Sequence, residues 1–309
     1  MTALNPTLVL GTFSLQGYEV QTLMLIRSLR KFGGEMADLP VWIFTPEGKG
    51  FDKNTQTLLT ELGVDCHSFA IDDPLLRFPF AAKAVASAAA EELALQEGVD
   101  LLAWHDRTGM FRHAPTAFYL PEDKSFAFRS TDIANIGAPF GESLPPFWGD
   151  ICEHFGLSAD DLPPITSVID QVKLHLYVNA GLLVARPEKG IFRAWATNLG
   201  ETYALPEFKA YYQVDQAYAI FMHQAALTAA VVQKTTTEER LILPDTYLFS
   251  VDNFFDYSED LRPASLDEIV TGRFHDFFSL EDWESLITVS DDLMDWFKEQ
   301  LKEGDYWPG

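Results

Sequence analysis

Basic residues are scarce in this chain: 22 Lys and Arg stand against 46 Asp and Glu, a formal charge of −24 over 309 residues. A field of that sign repels polyanions, and no dense basic patch exists to release counterions from a duplex, so neither nucleic acid nor an anionic membrane surface is an expected partner. A small phosphorylated ligand stays open, because a few local cations and backbone N–H groups can hold phosphate inside an acidic protein. Cysteine is nearly absent. Cys66 and Cys152 make no disulfide framework, no Cys-x-x-Cys or Cys/His zinc spacing occurs, and both read as reduced thiols. No apolar run reaches the roughly 18 residues of a membrane-spanning helix, so no transmembrane segment is expected. "MTALNPTLVLGTF" lacks the charged start and apolar length of a secretory signal, which makes the cytoplasm the expected location. Also missing are a G-x-S-x-G elbow, a Walker phosphate loop and, in "GTFSLQG", the spacing of a dinucleotide fingerprint. Triad hydrolysis, ATP hydrolysis and hydride transfer thereby lose their usual signals, and no internal repeat or low-complexity tract appears.

What is present is ordinary for a folded globular chain of one or two domains, with 47% apolar and 22% charged residues. "TLVLGTF" reads as a first buried strand, broken by Gly11. In "GYEVQTLMLIRSLRKFGG", Tyr18, Leu25, Leu29 and Phe32 fall on one helical face, Arg27, Arg30 and Lys31 gather near the C-terminal end, and Gly33-Gly34 stop the helix. The alternation then recurs. "LPVWIFTP" is a strand ended by proline, "NTQTLLTELG" a helix closed by Gly63, and "VDCHSFAI" a third strand. "FPFAAKAVASAAAEELALQEG" is an Ala-rich helix and "VDLLAWHD" a fourth strand. This predicts an α/β fold on a mainly parallel sheet flanked by helices, with ligands outside the carboxyl ends of the strands.

The regularity stops after Asp106. "KSFAFRST" reads as another strand, "NIGAPFGESLPPFWGD" and "GLSADDLPPITS" as long surface loops around a short helix at "ICEHFGL", and "LHLYVNAGLLVARP" as strand, turn, strand. Helices are expected near "IFRAWATNL" and "VDQAYAIFMHQAAL". The tail is acidic and aromatic and ends in "DDLMDWFKEQLKEG", where Leu293, Trp296, Phe297 and Leu301 share one side of a helix. Docking on the domain is its expected role; contact with a partner is the alternative.

The stretch "LLAWHDRTGMF" poses the functional question, since a buried strand has no need of His105, Asp106 and Arg107 at its mouth. A His-Asp pair there is either a local hydrogen-bonded cap or part of a site on the carboxyl edge of the sheet. Lys83, a single cation among small helix residues, is either solvated or placed to stabilise a departing anion. In "NAG", Asn179 and Gly181 offer a side-chain amide and close backbone approach, or merely a hairpin-like turn. Asp215 and Gln216 open an apolar helix, where cap chemistry is the alternative. His67, His113, His154, His175 and His223 share no spacing and read as structural.

Taken in order, the first strand, its helix, the "IFTP" strand, the Ala-rich helix with its lysine, the strand ending in an Asp-bearing loop, and later "YVNAGLLVARP" and "DQ" resemble the GT-A fold nucleotide-sugar glycosyltransferases over roughly residues 5 to 280. The resemblance implies a GT-A-like domain over residues 1–280, long acceptor-side loops, and an acidic amphipathic helix packed on it over 281–309. It also implies transfer of a hexose-like sugar from a nucleotide diphosphate donor to an unidentified acceptor. In most of that family Mn2+ or Mg2+ sits on a D-x-D motif closing the fourth strand. Here the motif is incomplete: with Asp106 first the second position is Thr108, and with His105 first it is Arg107. A metal would then be held by Asp106 with His275 of "GRFHDFF"; alternatively Arg107 meets the diphosphate directly, or catalysis is lost. By the same resemblance Thr12, Phe13, Tyr18, Lys83, His105, Asn179, Ala180 and Gly181 face the donor, Tyr18 as a base-stacking ring. Asp106, Arg107, Asp215 and Gln216 carry the chemistry. A non-catalytic sugar or nucleotide binding protein on the same scaffold is the rival reading, with nucleotidyl transfer third because "GTFSLQG" has no cation. Stereochemistry is not set by these residues.

Overall fold

The computed structural model describes residues 6–302; the sequence readings that touch residues 1–5 and 303–309 lie outside the described residues. The first half alternates as the apolar pattern dictates: β1 (Leu8–Phe13), α1 (Glu19–Phe32), β2 (Val41–Pro46), α2 (Lys53–Glu61), β3 (Val64–Phe69), a single turn α3 (Asp73–Leu76), α4 (Ala81–Glu97) and β4 (Leu101–His105). A short β5 (Gly109–Phe111) follows, then β6 (Phe126–Ser130), α5 (Pro146–Phe155), a hairpin of β7 (Pro164–Thr166) and β8 (Lys173–His175), and β9 (Val178–Ala185). The remaining elements are α6 (Ile191–Thr202), α7 (Pro206–Val214), α8 (Gln216–Lys234), β10 (Arg240–Ile242), β11 (Phe249–Ser250), β12 (Thr271–Arg273) and α9 (Asp291–Leu301).

Seven strands form the central sheet in the order β10-β6-β9-β4-β1-β2-β3. Every pairing is parallel except the two that β9 makes, so the sheet is mainly parallel, as the alternation predicts. Strands β1, β2 and β4 are buried along almost their whole length because helices cover both faces, whereas edge strand β3 leaves Cys66 exposed. Close packing sets some residues outright. A side chain on Gly11 would put its Cβ 2.7 Å from the Trp104 ring on the neighbouring strand.

Helix α4 uses small residues to approach the sheet and α6 closely, burying Ala81, Ala84, Ala86, Ala90 and Ala94. Its buried Glu91 accepts from the backbone N–H groups of Phe192 (3.1 Å) and Arg193 (2.9 Å), satisfying donors in the first turn of α6. Burial nonetheless pushes the Glu91 carboxyl above its ordinary value.

Two local expectations are corrected. The "NAG" residues are not a turn: Asn179, Ala180 and Gly181 lie buried inside β9, where the register with β6 slips between the Phe128–Leu183 and Ser130–Val178 pairs. The Asn179 amide oxygen accepts from Gly181 N (2.9 Å), so the polar side chain serves its own irregular strand. Nor is "PFWGD" surface loop. Pro146 starts α5 at a position where its missing N–H costs nothing, and Phe147 and Trp148 enter the main core. Helix α7, also unanticipated, begins with Pro206 in the same way.

A second, three-stranded sheet, β11-β12-β5, pairs β12 antiparallel to β5 with Arg273 opposite Gly109. It carries a third hydrophobic cluster, into which α9 lays Leu293, Trp296 and Phe297. Trp296 meets Phe32 of α1 edge-on at 5.4 Å, and Arg27 donates to the Gln300 side chain at 2.9 Å. Among the described residues no helix is long and apolar enough to cross a membrane.

Candidate active site

Strand β4 ends at His105 and the chain turns through Asp106, Arg107 and Thr108 into β5, closed by Gly109 N donating to Asp106 O (3.1 Å). The His105 ring is fully buried with Nδ1 2.9 Å from that same carbonyl oxygen. A Cβ on Gly109 would stand 2.1 Å from His105 Cε1, so glycine is what lets the imidazole brace the turn. The opposing β12 then draws a distant segment alongside: Phe274 N donates to Thr108 O (2.8 Å), which brings His275 to the cavity beside Asp106.

The turn forms the floor of a cavity of about 470 Å3 at the carboxyl ends of β1, β2 and β4. Its lining combines apolar side chains, Phe13, Leu15, Pro46, Leu76 and Phe78, with a polar group of Lys83, Asp106, Arg107, Thr108 and His275. Among the described residues the charged lining is Lys49, Lys83 and Arg107 against the carboxylate of Asp106. In a chain of charge −24 this lining is locally positive.

Lys83 reaches the site from the first turn of α4. Its ammonium donates to Asp106 Oδ1 (2.7 Å) and to the Ala180 carbonyl (3.3 Å), and the two side chains are only 8% and 18% exposed. Burial lowers the Lys83 ammonium from its usual range, while Asp106 and its hydrogen bond oppose that shift. Burial alone would raise the Asp106 carboxyl; Lys83, by charge and hydrogen bond, more than offsets this and holds it below the ordinary value. The two groups form a close, largely buried pair. Arg107 lays its guanidinium 3.8 Å above the Tyr18 ring and 5.5 Å from that of Phe13. Behind them Arg273 donates to Asp132 (2.8 Å) and Ser250 (3.0 Å). Burial lowers His105 to about 4 and His275 to about 3, so both imidazoles are neutral near pH 7.

Of the residues singled out in the sequence, Phe13, Lys83, Asp106, Arg107 and His275 meet at the cavity. His105 and Thr12 lie buried beneath its strands, and Tyr18 stacks under Arg107. Asn179, Ala180 and Gly181 do not line the cavity; Ala180 supplies a carbonyl to Lys83 and Gly181 O accepts from Asp106 N (2.9 Å), while Asn179 bonds within its own strand. Asp215 is an exposed N-cap of α8, accepting from Ala217 N (2.8 Å), and neither it nor exposed Gln216 lines the cavity.

Sequence reasoning missed three contributors. His223, read as structural, packs its ring at a tilt against Phe80 with centroids 4.7 Å apart; burial leads in lowering it to about 3, and the Lys83 charge adds to the shift. Phe80, 48% exposed at the cavity, takes a left-handed backbone (φ 58°) just before α4, a conformation costly for a bulky residue and concentrated at functional sites. Arg273 sits two residues before the histidine that was noticed.

A divalent cation requires several oxygen ligands around one point. Asp106 is the one carboxylate on the cavity among the described residues, and its Oδ1 already holds the Lys83 ammonium. His275 adds one nitrogen in a setting dominated by burial and the Arg273 charge. Among the described residues no group of three or more His, Cys, Asp or Glu is arranged to hold a metal. This donor set does not fit Mn2+ or Mg2+.

Comparison with known proteins agrees with this architecture. The chain is similar in structure to the bifunctional glycosyltransferase WbbM in its apo form (TM-score 0.54, 12% identity), over 97% of this chain and 53% of that one, so it spans about half of WbbM. It is also similar to the galactosyltransferase LgtC in complex with donor and acceptor sugar analogs (TM-score 0.51, 11% identity), over 93% of this chain and 99% of that one. At such identities the likeness speaks to the fold, which is of GT-A type. Among curated proteins, no sequence matches. The family model of the Rhodobacterales glycosyltransferase domain matches residues 13–234, from the end of β1 through α8. On that match over most of its length, the chain belongs to the Rhodobacterales glycosyltransferase domain family.

Proposed function

We propose that the chain transfers a hexose-like sugar from a nucleotide diphosphate donor to an acceptor hydroxyl, with the donor in the cavity at the tip of β4. The observation that carries the reading is the charge of that cavity, three cations against one carboxylate in a strongly acidic chain. The apolar part of the lining suits a nucleoside, with Phe13, Leu15, Pro46 and Phe78 offering surface to base and ribose. The diphosphate then falls between Lys83 and Arg107. As the bond from the anomeric carbon to the phosphate oxygen breaks, negative charge grows on the leaving diphosphate, and fixed cations in a partly dry site stabilise it at little reorganisation cost. Neither His275, depressed to about 3, nor Asp106, below its ordinary value, is a strong base. Catalysis in this reading rests on the leaving group, with Arg107 and Lys83 as the principal groups. Asp215 and Gln216 belong to the acceptor side, where exposure leaves them free to meet an incoming sugar. Residues 1–280 form the transferase unit with the C-terminal helix packed on it, and the protein acts in the cytoplasm.

A second reading, a sugar or nucleotide binding protein without turnover, is favoured by one observation: the sole cavity carboxylate among the described residues is committed to Lys83. Calorimetric titration with UDP-, GDP-, CDP- and ADP-sugars, followed by assay of nucleotide release across an acceptor panel, separates the two. Binding with release supports the transferase; binding with no release from any pair supports the second reading; no binding of any nucleotide removes both.

A further inference from the structure

We propose that this site balances the diphosphate of its donor with built-in cations and needs no divalent metal, the Lys83 ammonium standing on Asp106 where a metal ion would otherwise stand. The inference rests on the donor reading above. An ammonium has three N–H donors. Two are used, one on Asp106 Oδ1 (2.7 Å) and one on the Ala180 carbonyl (3.3 Å), which leaves the third for a phosphate oxygen in the cavity that Lys83 lines. The lysine is 6% exposed and rises from a helix packed against the sheet, so it is held in place without a ligand.

For a metal to bind Asp106 it would have to displace that ammonium, leaving a buried lysine with the Ala180 carbonyl and the Phe80 ring but without its counter-charge, a loss far larger than that of a surface contact. The surroundings oppose a dication as well. Arg107 lies on the cavity, and the charges of both Arg107 and Arg273 are felt at Lys83. Arg107 is set by the Tyr18 face at 3.8 Å, and Arg273 by Asp132 and Ser250. The motif itself does not complete a coordination shell: its second position is Thr108 or Arg107, and neither supplies an anionic oxygen.

The test uses the full chain and two probes. Manganese is titrated into the protein alone and followed by electron paramagnetic resonance; UDP, GDP, CDP and ADP are titrated calorimetrically in EDTA and, separately, in Mn2+. The expected result is no stoichiometric loss of the free-manganese signal and, for the nucleotide that binds, affinities in the two buffers within about threefold. Lys83→Met should weaken that nucleotide by at least about tenfold, the scale of one charge-assisted hydrogen bond, with Lys83→Arg recovering part of the loss. Should Lys83→Met not fold, Arg107→Ala is read the same way. Stoichiometric manganese binding by the protein alone, or nucleotide binding that appears only with Mn2+, overturns the proposal and leaves the donor reading standing. No nucleotide binding in either buffer overturns both.

Discussion

Replacing Lys83 by methionine keeps the length of the side chain and removes its charge, so it isolates what the ammonium does for the fold. At 2.7 Å the gross attraction to Asp106 is about 6 kcal/mol for an effective dielectric constant of about 20. Desolvation of two buried charges consumes much of that. Removing one partner, however, leaves the other's desolvation uncompensated, which costs roughly 3–5 kcal/mol in a closed interior. Asp106 keeps 18% of its side chain exposed, towards the cavity, so the expected loss for Lys83→Met is about 2–4 kcal/mol. A domain with stability on the order of 5–15 kcal/mol survives this folded. The double variant Lys83→Met/Asp106→Asn removes both charges and should regain about 1–3 kcal/mol relative to Lys83→Met alone. Urea denaturation followed by circular dichroism at pH 7.5 measures all four corners of the cycle. If Lys83→Met matches the parent within about 0.5 kcal/mol, or if the double variant is no more stable than Lys83→Met, the pair is not the buried charge couple argued above.

Gly109→Ala forces a Cβ into the His105 ring and should cost about 1–3 kcal/mol by overpacking, whereas Gly149→Ala, inside α5 with nothing within 4 Å, should gain roughly 0.5–1 kcal/mol; thermal melts that rank the two the other way would contradict the geometry. Asp267 gathers Arg112, Ser265 and Ser290, and although burial works against it these bonds hold its carboxyl down to about 2. Because the folded value is depressed, its contribution is full above the unfolded value of 3.8 and is lost as pH falls through about 2. Asp267→Asn should therefore lose about 2 kcal/mol at pH 7 and roughly half of that at pH 3, read from urea midpoints; a gap independent of pH would refute it.

The sheet could be read from the sequence because β1, β2 and β4 are short apolar runs close to proline or glycine, the pattern of a strand buried on both faces. The "NAG" segment misled for the same reason. An Asn and a Gly inside an apolar run look like a turn, and only the slipped pairing with β6 explains how β9 absorbs them. Prolines hid α5 and α7, although proline at the first helical position is itself a start signal that could have found both. At the site, Asp106, Arg107 and Lys83 were visible as charges where a strand end and a small-residue helix need none. His223 was not, since a histidine on the buried side of a helix has the same spacing whether it packs or faces a site. The backbone twist at Phe80 leaves no trace in residue type at all.

The antiparallel pairing of β12 with β5 has a consequence for the order of assembly. Arg112 finds Asp267, and Asp132 finds Arg273, across sequence separations of 155 and 141. Contacts of that span close large loops and form late, so on the ribosome the Asp106 turn emerges long before the segment that completes its surroundings. A growing chain would acquire strands β1 to β9 first, and the segment that covers the turn only when the last quarter of the polypeptide had returned to it.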